Sequence, residues 1–348
     1  MQEDRFFPLV CLEYVPGRID EAVAALKDPL TRDAAQMELD LFRGDGLRAL
    51  DEANALIAKD DLSIRLTASV TLGFALASTG DAAGAIAALR KKVEEAEHPR
   101  ERLLALMSQP SNTEDPATVH ELSLQTLAGD IAAARLGLSQ DGPSVFNYLS
   151  VPSLSDAQRM LGCISAAVDA LSREEWAYSA GWLSGIITTS RKRYPLLVAM
   201  AQLLYASDQV LLGNDAHGKE HFMEAFEVLN RDGLYQPIAG LYCSLMGLPD
   251  ACLRKKHAGT LRKIQHMAQN TANLYQGSDA HSGWLAASSL LKPQESSFVQ
   301  LAALGKTNDE IAAFMGVTAH TVKYHLSNAY AKLNIEGRAQ LVPPTRGA

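Results

Sequence analysis

Thr307, Glu310, Gly316 and Thr318 mark where two short helices near the C-terminal end of the chain begin and end. A Thr followed three residues later by Glu is a capping box, in which each side chain accepts a hydrogen bond from the other residue's backbone N–H. Gly316 suits the left-handed backbone of a helix end, and Thr318 suits the residue that caps the next helix. The sequence therefore predicts two helices joined by a tight turn.

One more helix is predicted before this pair, and the last helix is predicted to have two unlike faces. The earlier helix runs from about Pro293 to Leu304, because proline suits a first helical turn and Gly305 follows the apolar run. The last helix continues from Thr318 to about Leu333. Two short helices joined by a tight turn, the second with a polar face, are typical of a helix-turn-helix. The apolar face of the last helix carries Val322, Leu326, Ala329 and Leu333.

The segment from Leu291 to Leu341 resembles the LuxR-type helix-turn-helix of bacterial transcription regulators. The resemblance extends over about fifty residues without a gap, and the residues that carry it are 291–295, 305–312, 321–328, Lys332-Leu333 and Arg338-Ala339. It implies double-stranded DNA as a partner, with the helix that contains Thr321-Val322-Lys323 in the major groove. Relatives use a fourth helix to pair two such domains, and Pro343-Pro344 falls where that helix would lie. A homodimer is therefore expected, but its pairing through this helix is in question.

The resemblance also implies which side chains contact DNA. Lys323, Tyr324 and Ser327 are predicted to approach base edges, because Lys donates to guanine O6 and N7 and Ser suits either base type. Hydroxyl groups and helix N-termini suit phosphate oxygens. The residues predicted to lie near phosphates are Thr307, Thr318, Thr321, Asn328 and Lys332, and Asn308 is predicted to contact DNA beside them.

The chain before this segment is predicted to consist of helices. Alternating apolar and polar runs rich in β-branched residues are lacking, whereas Ala and Leu recur at helical spacing. A junction of Gly, an acidic residue and small Ala residues recurs, and it resembles the tetratricopeptide repeat. The junctions are Gly17–Leu26, Gly44–Leu50, Gly80–Leu89 and Gly129–Ala134, with a looser copy at Gly213-Asn214-Asp215.

The predicted fold is therefore all-α. An N-terminal α-solenoid of helical hairpins, tetratricopeptide-like, covers residues 1–276, a linker covers 277–289, and the helix-turn-helix domain covers 290–348. An irregular helical bundle is the alternative for the first part. A solenoid offers a concave surface for recognition, so a peptide, a protein or a small molecule is the expected effector. The residues that would bind the effector are unknown from the sequence.

Charge and cysteine usage indicate where in the cell the protein works and which part of the chain is acidic. The net charge is −8, but residues from Leu290 onward hold six Lys or Arg against four Asp or Glu, so the body is the acidic part. The four cysteines show no CxxC spacing, which fits a reduced cytosol. The N-terminal residues lack a signal-peptide pattern, and no stretch of about 18 apolar residues is expected. The predicted location is the cytoplasm, with no membrane partner.

Few residues suggest catalysis or metal binding. His217, Glu220 and His221 match the H-x-x-E-H spelling of one zinc peptidase class, but a solvated helix explains them as well. The chain lacks a G-x-x-x-x-G-K-[ST] phosphate loop. The basic groups 191–193, 254–256 and 262–263 fit helix ends and solvated surface. We predict no enzyme activity, no catalytic residue, no metal and no cofactor.

These observations lead to one functional hypothesis and one alternative. The chain is predicted to be a transcription regulator whose helical-repeat body senses an effector and controls a C-terminal LuxR-type domain. The alternative is a protein–protein adaptor in which the helical body does the binding and the DNA-binding end is docked or vestigial.

Overall fold

The computed structural model describes residues 4–107, 115–136, 138, 151–190, 193–272 and 290–341. The predicted linker with Trp284, most of the predicted loops 109–116 and 139–155, the pair Arg191-Lys192 and Pro343-Pro344 lie outside the described residues. No strand occurs within the described ranges, so the all-α prediction is confirmed. The helices are α1 (Ile19–Ala24), α2 (Pro29–Arg43), α3 (Gly46–Ile57), α4 (Leu62–Thr79), α5 (Ala82–Met107), α6 (Pro116–Leu136), α7 (Asp156–Ser172), α8 (Trp176–Ser190), α9 (Pro195–Leu211), α10 (Asp215–Asp232), α11 (Gln236–Gly240), α12 (Leu248–Leu253), α13 (Ala258–Ala272), α14 (Pro293–Ala303), α15 (Asn308–Met315) and α16 (Ala319–Leu333), with 3-10 turns at Tyr242–Ser244 and Arg338–Gln340.

Glycines in the left-handed region end several body helices, as the repeated junction predicts. Gly44 ends α2 at φ 94° and Gly80 ends α4 at φ 93°. The Asp after each glycine caps the next helix, since Asp45 accepts from the Arg48 N–H at 3.2 Å and Asp81 accepts from the Gly84 N–H at 2.9 Å. These junctions make antiparallel hairpins of α2–α3 and α4–α5.

The junction predicted at Gly129 is wrong, because Gly129 lies inside α6. A Cβ at Gly129 would stand 2.2 Å from the Cβ of Ala96 on α5. The glycine therefore permits a close crossing of α5 and α6 and does not end a helix. Later in the body, the chain turns between Leu253 and Ala258, and this turn separates α12 from α13.

The body helices pack mainly on their neighbours in sequence, from α2 to α10. The next-but-one pairs α2·α4, α4·α6 and α7·α9 also touch. The chain then doubles back, since α11 packs on α2 and α13 packs on α4. Helical hairpins agree with the predicted solenoid, but a tetratricopeptide-like repeat stays a prediction.

The N-terminal segment, residues 4–14, joins helices α2 and α4 to the part of the body that follows Ser155. The Phe7 N–H donates to Thr67 Oγ1 on α4 at 2.9 Å, and the Leu9 N–H donates to Glu38 Oε2 on α2 at 2.9 Å. Further along the chain, Ser155 Oγ donates to Asp4 at 2.9 Å and Arg193 pairs with Glu13 at 2.6 Å. The segment therefore packs inside the body, with Phe6 and Leu9 fully buried.

Among the described residues, helix α4 is long and apolar enough to cross a membrane, with a mean hydropathy of 1.3. Such a stretch was not expected from the sequence. Half of this window is buried inside the protein, where α4 packs on α2, α3, α5, α6 and α13. A core helix of a protein passes the same test.

Candidate nucleic-acid interface

The caps predicted for the C-terminal helices are present. The Thr307 N–H donates to Glu310 Oε2 at 2.7 Å, and the Glu310 N–H donates to Thr307 Oγ1 at 3.2 Å. Gly316 ends α15 at φ 65°, and Thr318 Oγ1 accepts from the Thr321 N–H at 3.2 Å at the start of α16. Local hydrogen bonds thus determine the turn between α15 and α16.

Helix α16 has one buried face and one exposed face. Val322, Leu326 and Ala329 are buried with the apolar residues of α14 and α15. Lys323, Tyr324 and Ser327 are exposed, and Tyr324 keeps 61% of its surface in solvent. We call Lys323, Tyr324 and Ser327 the base-reading face, after the role that is predicted for them from the sequence. Within the described residues Lys323 makes no hydrogen bond or ion pair, so all three of its donors are available.

The residues predicted near phosphates are only partly available. Thr307 and Thr318 are exposed at the N-terminal ends of α15 and α16, whereas Thr321 and Asn328 are half-buried. Asn308 Oδ1 accepts from Arg338 Nη2 at 2.8 Å, and Lys332 Nζ pairs with Glu295 Oε2 at 2.6 Å. A phosphate oxygen would compete with Glu295 for Lys332, whereas the Asn308 Nδ2 amide can donate to phosphate while Oδ1 keeps its bond from Arg338.

Arg338, the partner of Asn308, and Glu295, the partner of Lys332, were not predicted as site residues. Arg338 also donates to the Lys306 carbonyl oxygen, so it holds the turn Arg338–Gln340 against the start of α15. Burial alone would raise the pKa of Glu295, but its hydrogen bonds from Lys332 and the Lys292 N–H outweigh that and lower the pKa. Glu295 Oε2 accepts from the Lys292 N–H at 2.9 Å and so satisfies a backbone donor at the start of α14. Neither pairing follows from spacing, because the partners are 30 and 37 residues apart.

His325 lies on α16 but faces inward. Its ring stacks on Phe298 of α14, with centroids 4.6 Å apart and planes 9° apart. Burial lowers the pKa of His325, so the neutral imidazole is favoured there.

The opposite side of the three-helix domain is docked on the body through a buried carboxylate. Asp250 on α12 is fully buried, and its oxygens accept from Ser297 Oγ at 3.1 Å and Gln265 Nε2 at 3.0 Å. Tyr242 Oη also donates to it, and Arg254 lies 3.2 Å away. Burial raises the pKa of Asp250 despite these partners. Since Ser297 belongs to α14, one carboxylate joins body and domain.

Further contacts extend this dock. Lys219 Nζ donates to the Phe314 carbonyl oxygen at 2.8 Å and lies 4.3 Å from the centre of the Phe314 ring. Lys306 pairs with Asp215 at 2.7 Å. Gly247 has φ 74°, and a Cβ there would stand 3.1 Å from Met315 Sδ. The backbone of the body at Gly247 thus lies close to the Met315 side chain, and the body and the domain share one apolar core.

Other candidates from the sequence do not form a site. The Nε2 atoms of His217 and His221 lie 3.2 Å apart, but the described residues contain no group of three or more potential metal ligands. In the group 254–256, Arg254 pairs with Asp250, and the side chain of Lys255 lies beside Gly316. Cys11 and Cys163 are buried, and Cys243 and Cys252 are partly buried thiols.

Comparison with known proteins identifies the C-terminal part. Residues 289–343 match the family of bacterial regulatory proteins called the luxR family. The chain is also similar to the transcriptional activator protein YukR of Yersinia ruckeri, with 30% identity over 80 residues, or 23% of this chain. The match spans 34% of that protein, about a third of its length. No solved structure matches the chain.

Proposed function

Because residues 289–343 form a luxR-family helix-turn-helix domain, we propose that the chain is a DNA-binding transcription regulator whose helical body senses an effector and controls this domain. The single observation that carries the proposal is the division of the domain into two sides. Its base-reading face is exposed, while its opposite side is docked on the body through Asp250, Lys219 and Asp215. Such a regulator acts on DNA in the cytoplasm and requires no catalytic step.

The proposed mechanism uses the dock as the point of control. In helix-turn-helix dimers, two recognition helices enter successive major grooves about 34 Å apart. An effector that changes how the body holds α14 and α15 also changes whether two copies of the domain reach that spacing. The effector can shift the balance between two arrangements of the domain on the body only if it binds one arrangement more tightly than the other.

Each polar residue of the domain has a proposed role on DNA. Lys323 donates to guanine, Ser327 contacts a neighbouring base, and the Tyr324 ring lies against a thymine methyl group or the sugar–phosphate wall. The phosphate contacts come from Thr307, Asn308, Thr318, Thr321, Asn328 and Lys332. Because the body is acidic, nonspecific affinity is low and these specific contacts, with a second copy, must supply the binding free energy.

DNA selection from a random duplex pool tests the proposal. We expect full-length protein to enrich a discrete motif, and Lys323→Ala to weaken binding to it by about 1–3 kcal/mol with relaxed preference at one position. Lys91→Ala is the matched control, because Lys91 is exposed on α5 and away from the domain.

The selection also separates this proposal from the adaptor alternative. An adaptor would enrich no motif and would bind its protein partner equally well with Lys323→Ala. Failure of the wild-type protein and of dock variants such as Asp215→Ala to enrich any sequence would overturn the DNA-binding proposal.

A further inference from the structure

A cavity of about 260 Å³, partly open to solvent, lies in the body and reaches the DNA-binding domain. Its walls come from the N-terminal segment and from helices α2, α4, α6, α7, α9 and α11. Most of the lining is apolar, as at Phe42, Leu161 and Leu204. Gln300 and Leu304, at the end of α14, complete the wall. The cavity therefore borders both the body and the domain.

Three buried polar atoms in the cavity lining have no partner among the described residues: Glu38 Oε1, Gln236 Oε1 and Gln300 Oε1. Their side chains are 1%, 6% and 3% exposed. The two glutamine oxygens are acceptors, and Glu38 Oε1 becomes an acceptor when its carboxyl group ionises. Buried acceptors without donors cost free energy, which a ligand with N–H groups would recover.

The charges in the lining favour a cation. Glu38 and Glu174 contribute carboxyl groups, and Arg135 is the one basic residue of the lining. The Arg135 guanidinium already donates to the Gly240 carbonyl oxygen at 3.0 Å and lies 5.8 Å from the Phe74 ring centre. Burial raises the pKa of Glu38 to about 8, which favours the neutral acid at pH 7. An ammonium group beside it would favour the carboxylate and release a proton.

We propose that this cavity is an effector site for a compact apolar amine, whose ring or chain fills the apolar part and whose ammonium group donates to Glu38 and the glutamine oxygens. A 150 Å³ apolar cavity holds benzene, so this cavity suits a molecule of about ten non-hydrogen atoms. The regulatory part rests on the proposed function. Gln300 Nε2 donates to the Cys243 carbonyl oxygen across the dock, so an occupant that engages Gln300 acts directly on the contact between body and domain.

Calorimetric titration of full-length protein with three matched probes tests the site. The probes are 2-phenylethylamine, 3-phenylpropionate and ethylbenzene, which share a ring and differ in the charged end. We expect the amine to bind about tenfold or more tightly than either of the others. In buffers of different ionisation enthalpy at pH 7, its binding releases up to one proton in the wild-type protein and none in Glu38→Gln.

Two variants and one control complete the experiment. Glu38→Gln retains the shape of the side chain and loses the preference for the amine, whereas Ala134→Leu fills part of the cavity and weakens all probes. Ala87→Leu makes the same change on an exposed face of α5 and leaves binding unchanged. Equal binding of the three probes, or no binding of the amine at about millimolar concentration, would overturn the assignment, and circular dichroism checks that each variant folds.

Probe binding is measured without DNA, so this test and the test of DNA binding can fail separately. Lys323→Ala should lose its DNA motif and still bind the amine. With the selected duplex present, a saturating amine should change the DNA affinity of the wild-type protein several-fold and that of Ala134→Leu little. An unchanged DNA affinity beside normal amine binding would overturn the coupling through Gln300.

Discussion

At the scale of single residues, the body contains buried carboxyl groups that make the free energy of unfolding depend on pH. Burial raises the pKa of Glu38 to about 8 and that of Asp208 to about 8. Glu38 has one hydrogen bond, from the Leu9 N–H, and this bond only partly offsets the lost hydration. A buried carboxyl in this state favours the protonated form, so folding and proton binding are linked.

We predict that the free energy of unfolding falls as pH rises from about 6.5 to 8. In the unfolded chain these groups ionise near 3.8 and 4.5, so the folded protein binds more protons throughout this interval. Their contribution is fully present below the unfolded pKa values and is lost as pH rises through about 8. Each group contributes a slope of up to about 1.4 kcal/mol per pH unit. Urea unfolding at several pH values measures the slope.

Glu38→Gln should remove only the share of that slope that Glu38 contributes, up to about 1.4 kcal/mol per pH unit, since Asp208 and Asp250 remain. His325 is shifted in the opposite direction, because burial lowers its pKa and the domain loses stability when the ring is protonated at lower pH. The same His325 is present in both proteins and cancels in the comparison. Identical slopes for wild type and Glu38→Gln would show that Glu38 ionises normally.

At the scale of helices, local capping explains which boundaries could be predicted from the sequence. The ends of α14, α15 and α16 follow Pro293, the Thr307–Glu310 box, Gly316 and Thr318, which act within a few residues. The turn between α12 and α13 was missed because no glycine or proline marks it. There His257 packs on Phe226, with ring centres 4.8 Å apart, and this contact forms only in the folded chain.

The candidate site could be predicted by the same logic, but only on one side. Helical spacing places Lys323, Tyr324 and Ser327 opposite the apolar face of α16, and the structure places all three in solvent. The dock could not be predicted, since Asp250 and Ser297 are 47 residues apart and Lys219 and Phe314 are 95 apart. The roles on DNA remain predictions.

We predict that Thr307→Ala destabilises α15 by about 1 kcal/mol, because the Glu310 N–H loses its acceptor. Amide hydrogen exchange within Asn308–Met315 should become about fivefold faster. Thr188→Ala is the matched control, since Thr188 is exposed on α8 and bonds only the Ser184 carbonyl oxygen. Unchanged exchange in α15 would show that the dock, and not the cap, determines its stability.

At the scale of the whole molecule, body and domain share one apolar core, and polar contacts border it. Phe298, Leu301 and Met315 of the domain belong to the same buried cluster as Leu245 and Leu248 of the body. Lys219 and Asp215 hold the rim of the contact. Polar rim contacts contribute less than apolar burial, so the contact can be weakened without loss of the shared core.

We predict that the double variant Asp215→Ala, Lys219→Met loosens the domain and leaves the body folded. Loss of a partly buried ion pair and a cation–π contact removes about 1–2 kcal/mol, or about tenfold in the opening equilibrium. Hydrogen exchange should therefore accelerate in α14 and α15 and stay constant in α2 to α5. Lys91→Met is the control for loss of a lysine charge on α5. Equal acceleration throughout the chain would mean that body and domain open only together.

The position of residues 4–14 inside the body also has a consequence for synthesis. Glu13 pairs with Arg193, which leaves the ribosome 180 residues later. At about 5–20 residues per second, that interval is roughly 10–40 seconds. During this time Phe6, Leu9 and Val10 have no completed body to bury them. The segment is thus synthesised well before one of the partners that enclose it, and part of its apolar surface stays uncovered until the chain around Arg193 emerges.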